Sequence, residues 1–166
     1  MGDDVARVID QRFRTTTIKK QELKMSELNL NPNVAASLKQ WHGMIGNRDL
    51  SGLPELLDPQ AVFRSPMAHT PYPGAPVVAM ILNTVMNVFE EFAYHRELAT
   101  ADGLNVILEF SARVGGKELK GIDMIRFNEQ GKIVEFEVMV RPLSGLQALG
   151  EEMGRRLGAY LKASKA

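Results

Sequence analysis

Asp123 is the residue whose position most suggests chemistry, because it interrupts the apolar run "GIDMIRF". If this run is a β-strand, alternation places Asp123 on the same face as Ile125 and Phe127. The bases Lys120 and Arg126 fall on the opposite face, so the strand itself supplies no cation to neutralise the carboxylate. Burial among apolar side chains raises the pKa of a carboxyl group and favours the neutral acid, which donates a hydrogen bond.

Two interpretations of Asp123 stay open from the sequence alone. The acid either bonds to a backbone amide or a side chain of the first helix, or it faces a cavity that holds a ligand. A loop with the sequence "MAHTPYPG" places His69 and Tyr72 where a cavity mouth is expected, and such loops often carry binding groups. Pro71 and Pro73 nevertheless explain a rigid turn in this loop without any ligand.

Metal and cofactor sites are not predicted. The 3 histidines are scattered, cysteine is absent, and no H-x-x-x-H or clustered carboxylate spacing occurs. The glycines of "GLQALGEEMG" follow no suitable strand and match no phosphate-binding pattern. We therefore expect neither a metal ion nor an organic cofactor.

The composition limits the classes of partner. Lys and Arg number 20, as do Asp and Glu, so no net field favours nucleic acid or an anionic membrane surface. The longest apolar stretch, "APVVAMIL", is too short to span a bilayer, and the N-terminus lacks the apolar core of a secretory signal. We predict a cytoplasmic protein with no nucleic-acid or membrane partner.

The elements that position these residues follow from apolar spacing. We predict a single domain over residues 1–166. Residues 1–30 form an N-terminal arm or short helix (residues 4–13), residues 32–141 form the core, and residues 143–163 form a C-terminal helix.

The core pattern predicts an α+β fold. Asn31 and Pro32 start a first helix, a second short helix and a brief strand follow, and residues 77–92 keep helical spacing. Four strands then alternate with turn signals at Asp102-Gly103, at Gly115-Gly116 and at "NEQG". This order predicts helices packed on one side of an antiparallel sheet.

Alternation assigns the two faces of the sheet. The inward sets of two strands are wholly apolar: Val106, Leu108, Phe110, Ala112, Val134, Phe136, Val138 and Val140. The outward sets combine Ile107, Ile133 and Met139 with Glu109, Glu135 and Glu137. We expect these acids to be solvated or interfacial, and the outer face to be able to form a two-fold homodimer interface.

Three segments together resemble a known superfamily. They are "GNRDLSGLPELLDPQAVFRSP", "PYPGAPVVAMI" and "GIDMIRFNEQGKIVEFEVMV". Between Pro32 and Leu143 the chain is similar to the NTF2-like domains, which include nuclear transport factor 2, ketosteroid isomerases and SnoaL-like polyketide cyclases. The resemblance implies a cone-shaped (cystatin-like) α+β fold in which a curved antiparallel sheet wraps around the N-terminal helices, with an extra C-terminal helix here. It leaves the activity open, because this fold hosts many activities.

The isomerase resemblance carries over residue by residue. Asp123 stands at the protonated acid that stabilises an oxyanion in ketosteroid isomerases. Trp41 stands where those enzymes have a tyrosine as second donor, and its indole N–H can donate a hydrogen bond but lacks phenolic acidity. Ser65 stands at the aspartate that acts as general base. A serine of ordinary pKa does not abstract a carbon-bound proton, so the isomerase base is missing.

The resemblance implies two other possible catalytic designs on this fold. The Asp-Arg-Asp set of limonene epoxide hydrolases is not matched, since Arg141 stands in place of an acid. The polyketide cyclases need only one pocket aspartate as acid and base. Asp123 could serve in that role, with His42 or His69 nearby.

Two function hypotheses follow. The preferred one is a SnoaL-like protein that binds an apolar ligand bearing a carbonyl or hydroxyl group, with proton-transfer isomerase, cyclase or dehydratase chemistry if it is an enzyme. The predicted pocket residues are Asp123, Trp41, Phe63, Ser65, His69, Tyr72, Leu108, Phe110, Phe136, Val138 and Val140. The alternative is a non-catalytic dimerisation module whose pocket is vestigial and filled by side chains.

Overall fold

The structure, a computed structural model, describes residues 11–20, 23 and 27–163, with side chains to residue 160. The elements in chain order are α1 (residues 11–20), α2 (Pro32–Asn47), α3 (Leu53–Leu56), β1 (Leu57–Arg64), β2 (Tyr72–Pro73), α4 (Ala75–Val88), β3 (Glu90–Ala99), β4 (Asn105–Val114), β5 (Lys117–Phe127), β6 (Ile133–Arg141) and α5 (Leu143–Ala163). The predicted short helix over residues 4–13 lies mostly outside the described residues. Residues 11–20 of the arm are helical and exposed, and residues 27–30 form an irregular, partly buried approach to α2.

Helix α2 begins where the sequence predicts. The Asn31 side chain accepts a hydrogen bond from the backbone N–H of Asn33, and Pro32 occupies the first turn. The helix ends at Arg48, which adopts a left-handed conformation with φ 51°. Its apolar face, which includes Leu38 and Trp41, is buried against the sheet.

The sheet is curved, open and six-stranded, in the order β2-β1-β6-β5-β4-β3. Four of the strand pairings are antiparallel, but β1 pairs with β6 in parallel, so the sheet is mixed rather than purely antiparallel. A parallel pair requires a long crossover between its strands, and here the whole segment from β2 to β5 provides it. Local patterning does not show which distant strand β1 meets.

Strands β4 and β5 keep strict alternation. Leu108 and Phe110 of β4 are fully buried, and Asp123 of β5 lies on the buried face beside Ile125, as predicted. Strand β5 also contains Gly121, where an added Cβ would come within 2.5 Å of the Phe110 ring and of the Met139 carbonyl oxygen. Only glycine fits at this position, because the Phe110 ring and the Met139 carbonyl occupy the space that a side chain would need.

Strand β6 breaks the alternation. Arg126 pairs with Glu135 but the next residue, Phe127, pairs with Ile133, so Val134 is the extra residue of a β-bulge. The bulge turns Ile133 into the core, where it is fully buried. The prediction that Ile133 lies on the outer face was therefore wrong.

The outer face of the sheet carries paired charges. Glu109 exposes only 6% of its surface because Arg96 and Lys120 lie over it, with Lys120 Nζ 2.8 Å from Glu109 Oε1. Glu135 lies 3.4 Å from a guanidinium nitrogen of Arg126. Among the described residues, no helix combines the length and apolar character that crossing a membrane would require.

Candidate small-molecule site

Three side chains from three elements form a buried hydrogen-bonded chain. The Tyr94 hydroxyl donates to Asp123 Oδ2 at 2.6 Å and accepts from the Trp41 indole N–H at 3.0 Å. Trp41 comes from α2, Tyr94 from β3 and Asp123 from β5. The chain therefore connects α2 to two strands of the sheet through the Tyr94 hydroxyl group.

The register of the sheet brings these groups together. Tyr94 pairs with Phe110 of β4, and Asp123 pairs with Leu108 on one side and Val138 on the other. Side chains of directly paired residues lie on the same face, so Tyr94 and Asp123 both point towards the helices.

Burial controls the protonation of both groups. Desolvation raises the pKa of Asp123 from 3.8 to about 7, while the hydrogen bond from Tyr94 lowers it and offsets part of that effect. Desolvation, together with the nearby charge of Asp123, raises the pKa of Tyr94 well above its ordinary value. Tyr94 therefore stays a neutral donor, and Asp123 changes charge near neutral pH.

The carboxyl group faces an apolar cavity of about 350 Å³. Its walls come from α2, α4, α5 and the concave face of the sheet. The predicted pocket residues that line it are Trp41, Phe63, Ser65, Tyr72, Asp123, Phe136 and Val138. The vestigial-pocket hypothesis requires side chains to fill this space, and they leave it open.

Four predicted pocket residues do not line the cavity. His69 is exposed on the loop after β1. Leu108 is fully buried in the main core, and Phe110 packs with Phe89 and Phe92 in a second apolar cluster. Val140 also packs against that cluster. Neighbouring side chains cover the inward face of β4 and the end of β6. A side chain that points inwards from these strands therefore packs in the core and does not reach the cavity.

Ser65 lines the cavity but is already engaged. Its Oγ accepts a hydrogen bond from the backbone N–H of Met67 at 3.0 Å and forms a tight turn at the end of β1. No second carboxyl group lines the cavity in the described part of the chain. Asp123 is therefore the one acid available for proton transfer there.

Tyr94 was missed by the sequence analysis. Strand β3 has register shifts between Glu90 and Ala93 and between Tyr94 and Glu97, so its faces cannot be read from simple alternation. The useful signal was the two-residue step from Phe92 to Tyr94, which places two aromatic rings on one face.

The buried side chains of His42 and Glu97 lie next to the hydrogen-bonded chain. His42 Nε2 is 3.0 Å from Glu97 Oε1, with side-chain exposures of 5% and 6%. The two groups are in close contact, but neither ring nitrogen of His42 forms a hydrogen bond of good geometry. The His42 ring meets the Tyr94 ring edge-on with centroids 5.5 Å apart. His42 is thus near the site, although it is not part of the cavity wall.

The described residues contain no cluster of three or more metal-ligating side chains.

The SnoaL-like domain matches residues 38–136, which include most of α2, strands β1 to β5, the first part of β6 and Asp123. The chain belongs to the SnoaL-like domain family. No curated protein matches it.

Solved structures agree with this membership. A steroid delta-isomerase from Pseudomonas aeruginosa is 74% identical, with a TM-score of 0.78, over 81% of this chain and 98% of that one. A protein with a cystatin-like fold from Silicibacter pomeroyi DSS-3 is 32% identical, with a TM-score of 0.70, over 82% and 94% of the two chains. An NTF2-like protein of unknown function from Mesorhizobium loti, at 15% identity and a TM-score of 0.59 over 68% and 93%, shares the fold alone.

The SnoaL-like match ends at residue 136, before helix α5 begins. Helix α5 nevertheless contributes Leu149, Met153 and three glycines to the cavity wall. This SnoaL-like domain therefore closes part of its cavity with a segment that the family match does not include, a role that the sequence alone left open.

Proposed function

We propose that this protein binds a neutral, apolar small molecule bearing a carbonyl or hydroxyl group, and that Asp123 exchanges a proton with that molecule. One observation carries the proposal. Asp123 is a buried carboxyl group that lines an apolar cavity and has a pKa raised to about 7. Perturbed acids in clefts are typical of functional sites.

The cavity wall supports a neutral ligand. Its described lining contains no Lys, Arg or His, so an anionic group would enter without a partner. Its volume of about 350 Å³ is near the lower end of the range for small-molecule sites, which runs from about 300 to 1,000 Å³. A compact ring system with one polar end suits this shape and chemistry.

The proton transfer follows from the protonation of Asp123. Near neutral pH the group is present in both states, which is the best condition for a single acid-base catalyst. The ionised carboxylate takes a proton from the carbon beside a ligand carbonyl, and the C–H electron pair forms an enolate. The neutral acid then returns the proton to the γ carbon of an unsaturated ketone, so the double bond moves and Asp123 is regenerated.

A similar protein supports the choice of ketone. The Pseudomonas aeruginosa structure with 74% identity is named a steroid delta-isomerase, and a steroid delta-isomerase moves a double bond in a steroid. A β,γ-unsaturated ketosteroid is therefore the first substrate to test. In this chain the step would rely on Asp123 alone, because Ser65 stands where ketosteroid isomerases have their base.

Exchange of ketone α-protons for deuterium in D₂O, followed by NMR, tests the proposal without assuming a product. With 5-androstene-3,17-dione we expect wild-type exchange at least 100-fold above that of Asp123→Asn, about the size of a general acid-base effect. Tyr94→Phe should retain exchange but shift its pH midpoint upwards, because the Tyr94 hydrogen bond lowers the pKa of Asp123. Asp49→Asn, at an exposed turn, is the matched control. Equal exchange by wild type and Asp123→Asn would contradict the catalytic role.

A second candidate is a binding protein without catalysis. The Tyr94 O–H is donated to Asp123 and the Trp41 N–H to Tyr94, so neither donor is free to stabilise an enolate oxygen when Asp123 is ionised. The chain contains 1 Trp, and Trp41 lines the cavity, so its fluorescence reports ligand binding directly. Saturable quenching by the ketosteroid without exchange would favour the binding protein.

A further inference from the structure

Three glycines of helix α5 form part of the cavity wall. Gly150, Gly154 and Gly158 line the cavity and recur at four-residue steps, which places them on one face of the helix. Glycine is unfavourable in a helix interior because it loses more backbone freedom on folding than any other residue. These three positions therefore require a reason other than helix formation.

Packing explains the first glycine but not the other two. A Cβ built at Gly150 would lie 2.5 Å from Met67 Cε, so the Met67 side chain occupies the space beside it. A Cβ built at Gly154 or at Gly158 would meet no atom within 4 Å. Both positions line the cavity, Gly154 at an exposed point and Gly158 half-buried, so the space beside them is open rather than filled by a packed neighbour.

A second observation on the same cavity points to a ligand. The Asp123 residue is 6% exposed, and only its Oδ2 is engaged, by Tyr94. Among the described residues, no donor bonds to its Oδ1. Oδ1 keeps accessible surface, so a polar group of a molecule in the cavity can reach it and form a hydrogen bond.

We infer that α5 sets the size of ligand that the cavity accepts, with Gly154 and Gly158 leaving room for the outer rings of a fused-ring molecule whose polar end bonds to Asp123. This inference rests on the proposed function, and it assigns ligand selectivity to a segment outside the SnoaL-like match. Side chains at these two positions would narrow the cavity from the α5 side while leaving the Asp123 group unchanged.

The test compares saturated ketones of increasing ring number by Trp41 fluorescence: cyclohexanone, 1-decalone and 5α-androstan-3-one. We expect Gly154→Leu and Gly158→Leu each to raise the Kd for the four-ring ketone by about tenfold or more, the size typical of a steric change in an apolar pocket. The Kd for cyclohexanone should stay within about twofold. Gly154→Ala should give a smaller effect in the same direction. Because alanine stabilises a helix relative to glycine, this variant keeps the test available if the leucine variant fails to fold.

Gly43→Leu is the matched control. Gly43 is a helical glycine of α2 with no atom within 4 Å of a built Cβ, and it is exposed and outside the cavity wall. Its substitution should change neither Kd.

The outcomes separate this inference from the proposed function. Unchanged affinity of the glycine variants for 5α-androstan-3-one, or equal weakening for all three ketones, would overturn the role of α5. If wild type also binds these ketones and Asp123→Asn loses them, the proposed function survives that result. A wild-type protein that binds none of the three would overturn both.

Discussion

Asp123 links the chemistry of the site to the stability of the protein. Its pKa is about 7 in the folded chain because burial disfavours the charge, against 3.8 for an ordinary aspartate. A carboxyl group with a raised pKa favours folding while it is protonated in the folded state. That contribution is fully present below the unfolded-state pKa and is lost as the pH rises through the folded-state pKa.

We predict that the free energy of unfolding of wild type, relative to Asp123→Asn, falls by roughly 4 kcal/mol between pH 4 and pH 8. Each pH unit between the two pKa values is worth about 1.4 kcal/mol. Urea unfolding at intervals across this range measures the difference, and the asparagine variant removes the titration while keeping the shape. A difference that does not vary with pH would show that Asp123 titrates as an ordinary surface acid.

The predictability of each residue followed the regularity of its strand. The position of Asp123 on the buried face of its strand could be predicted because β5 alternates without interruption. Tyr94 and Ile133 could not, because bulges in β3 and β6 change the face of the residues on one side of the bulge relative to those on the other. Bulges depend on pairing with a neighbouring strand, and a single strand's sequence does not contain that information.

At the scale of elements, α2 is fastened to β3 by two adjacent side chains. Trp41 donates a hydrogen bond to Tyr94, and His42 contacts Glu97, which lies three residues after Tyr94 in β3. The second pair is buried, so each member depends on the other for its only described charged partner.

We predict that His42→Leu and Glu97→Leu each destabilise the fold by about 3–5 kcal/mol, because each leaves a buried polar group alone. The double variant should be clearly more stable than the sum of the two losses implies. Chemical denaturation of the four proteins gives the coupling energy.

The exposed pair Arg113 and Glu118, with side-chain exposures of 39% and 81%, is the control. Its removal should change stability by about 1 kcal/mol or less. Strictly additive losses for His42 and Glu97 would contradict a coupled pair.

Helix existence was easier to predict than helix function. The apolar spacing of residues 143–163 predicted a helix, and α5 occupies that range. Its contribution to the cavity depends on where the helix packs across the sheet, which is a tertiary property. The sequence shows four glycines in this helix, but it does not show which of them have open space beside them.

At the scale of the whole molecule, the outer sheet face is the surface that we expect to pair with a second copy. Leu98 and Met139 are 53% and 45% exposed there, between charges of both signs. Such a face can match itself about a two-fold axis. The inward turn of Ile133 removes one predicted contact from this surface.

We predict a homodimer of the 18.4 kDa chain in solution, observed by light scattering coupled to size-exclusion chromatography. Met139→Glu should shift the protein to monomer, because it places a charge at the centre of an apolar contact. Leu143→Glu, at a residue 69% exposed at the start of α5, should leave the dimer intact. A wild-type monomer would remove this surface from consideration.

The parallel pairing of β1 with β6 has a consequence for synthesis of the chain. Strand β1 pairs on one side with the two-residue strand β2. On the other side it pairs with β6, which is the last strand in chain order. While a ribosome is still producing residues 133–141, the unpaired edge of β1 has no native partner. The strand pairing of the sheet is therefore complete only after nearly the whole domain has emerged from the ribosome. Until then, the edge of β1 is available to pair with strands of other chains.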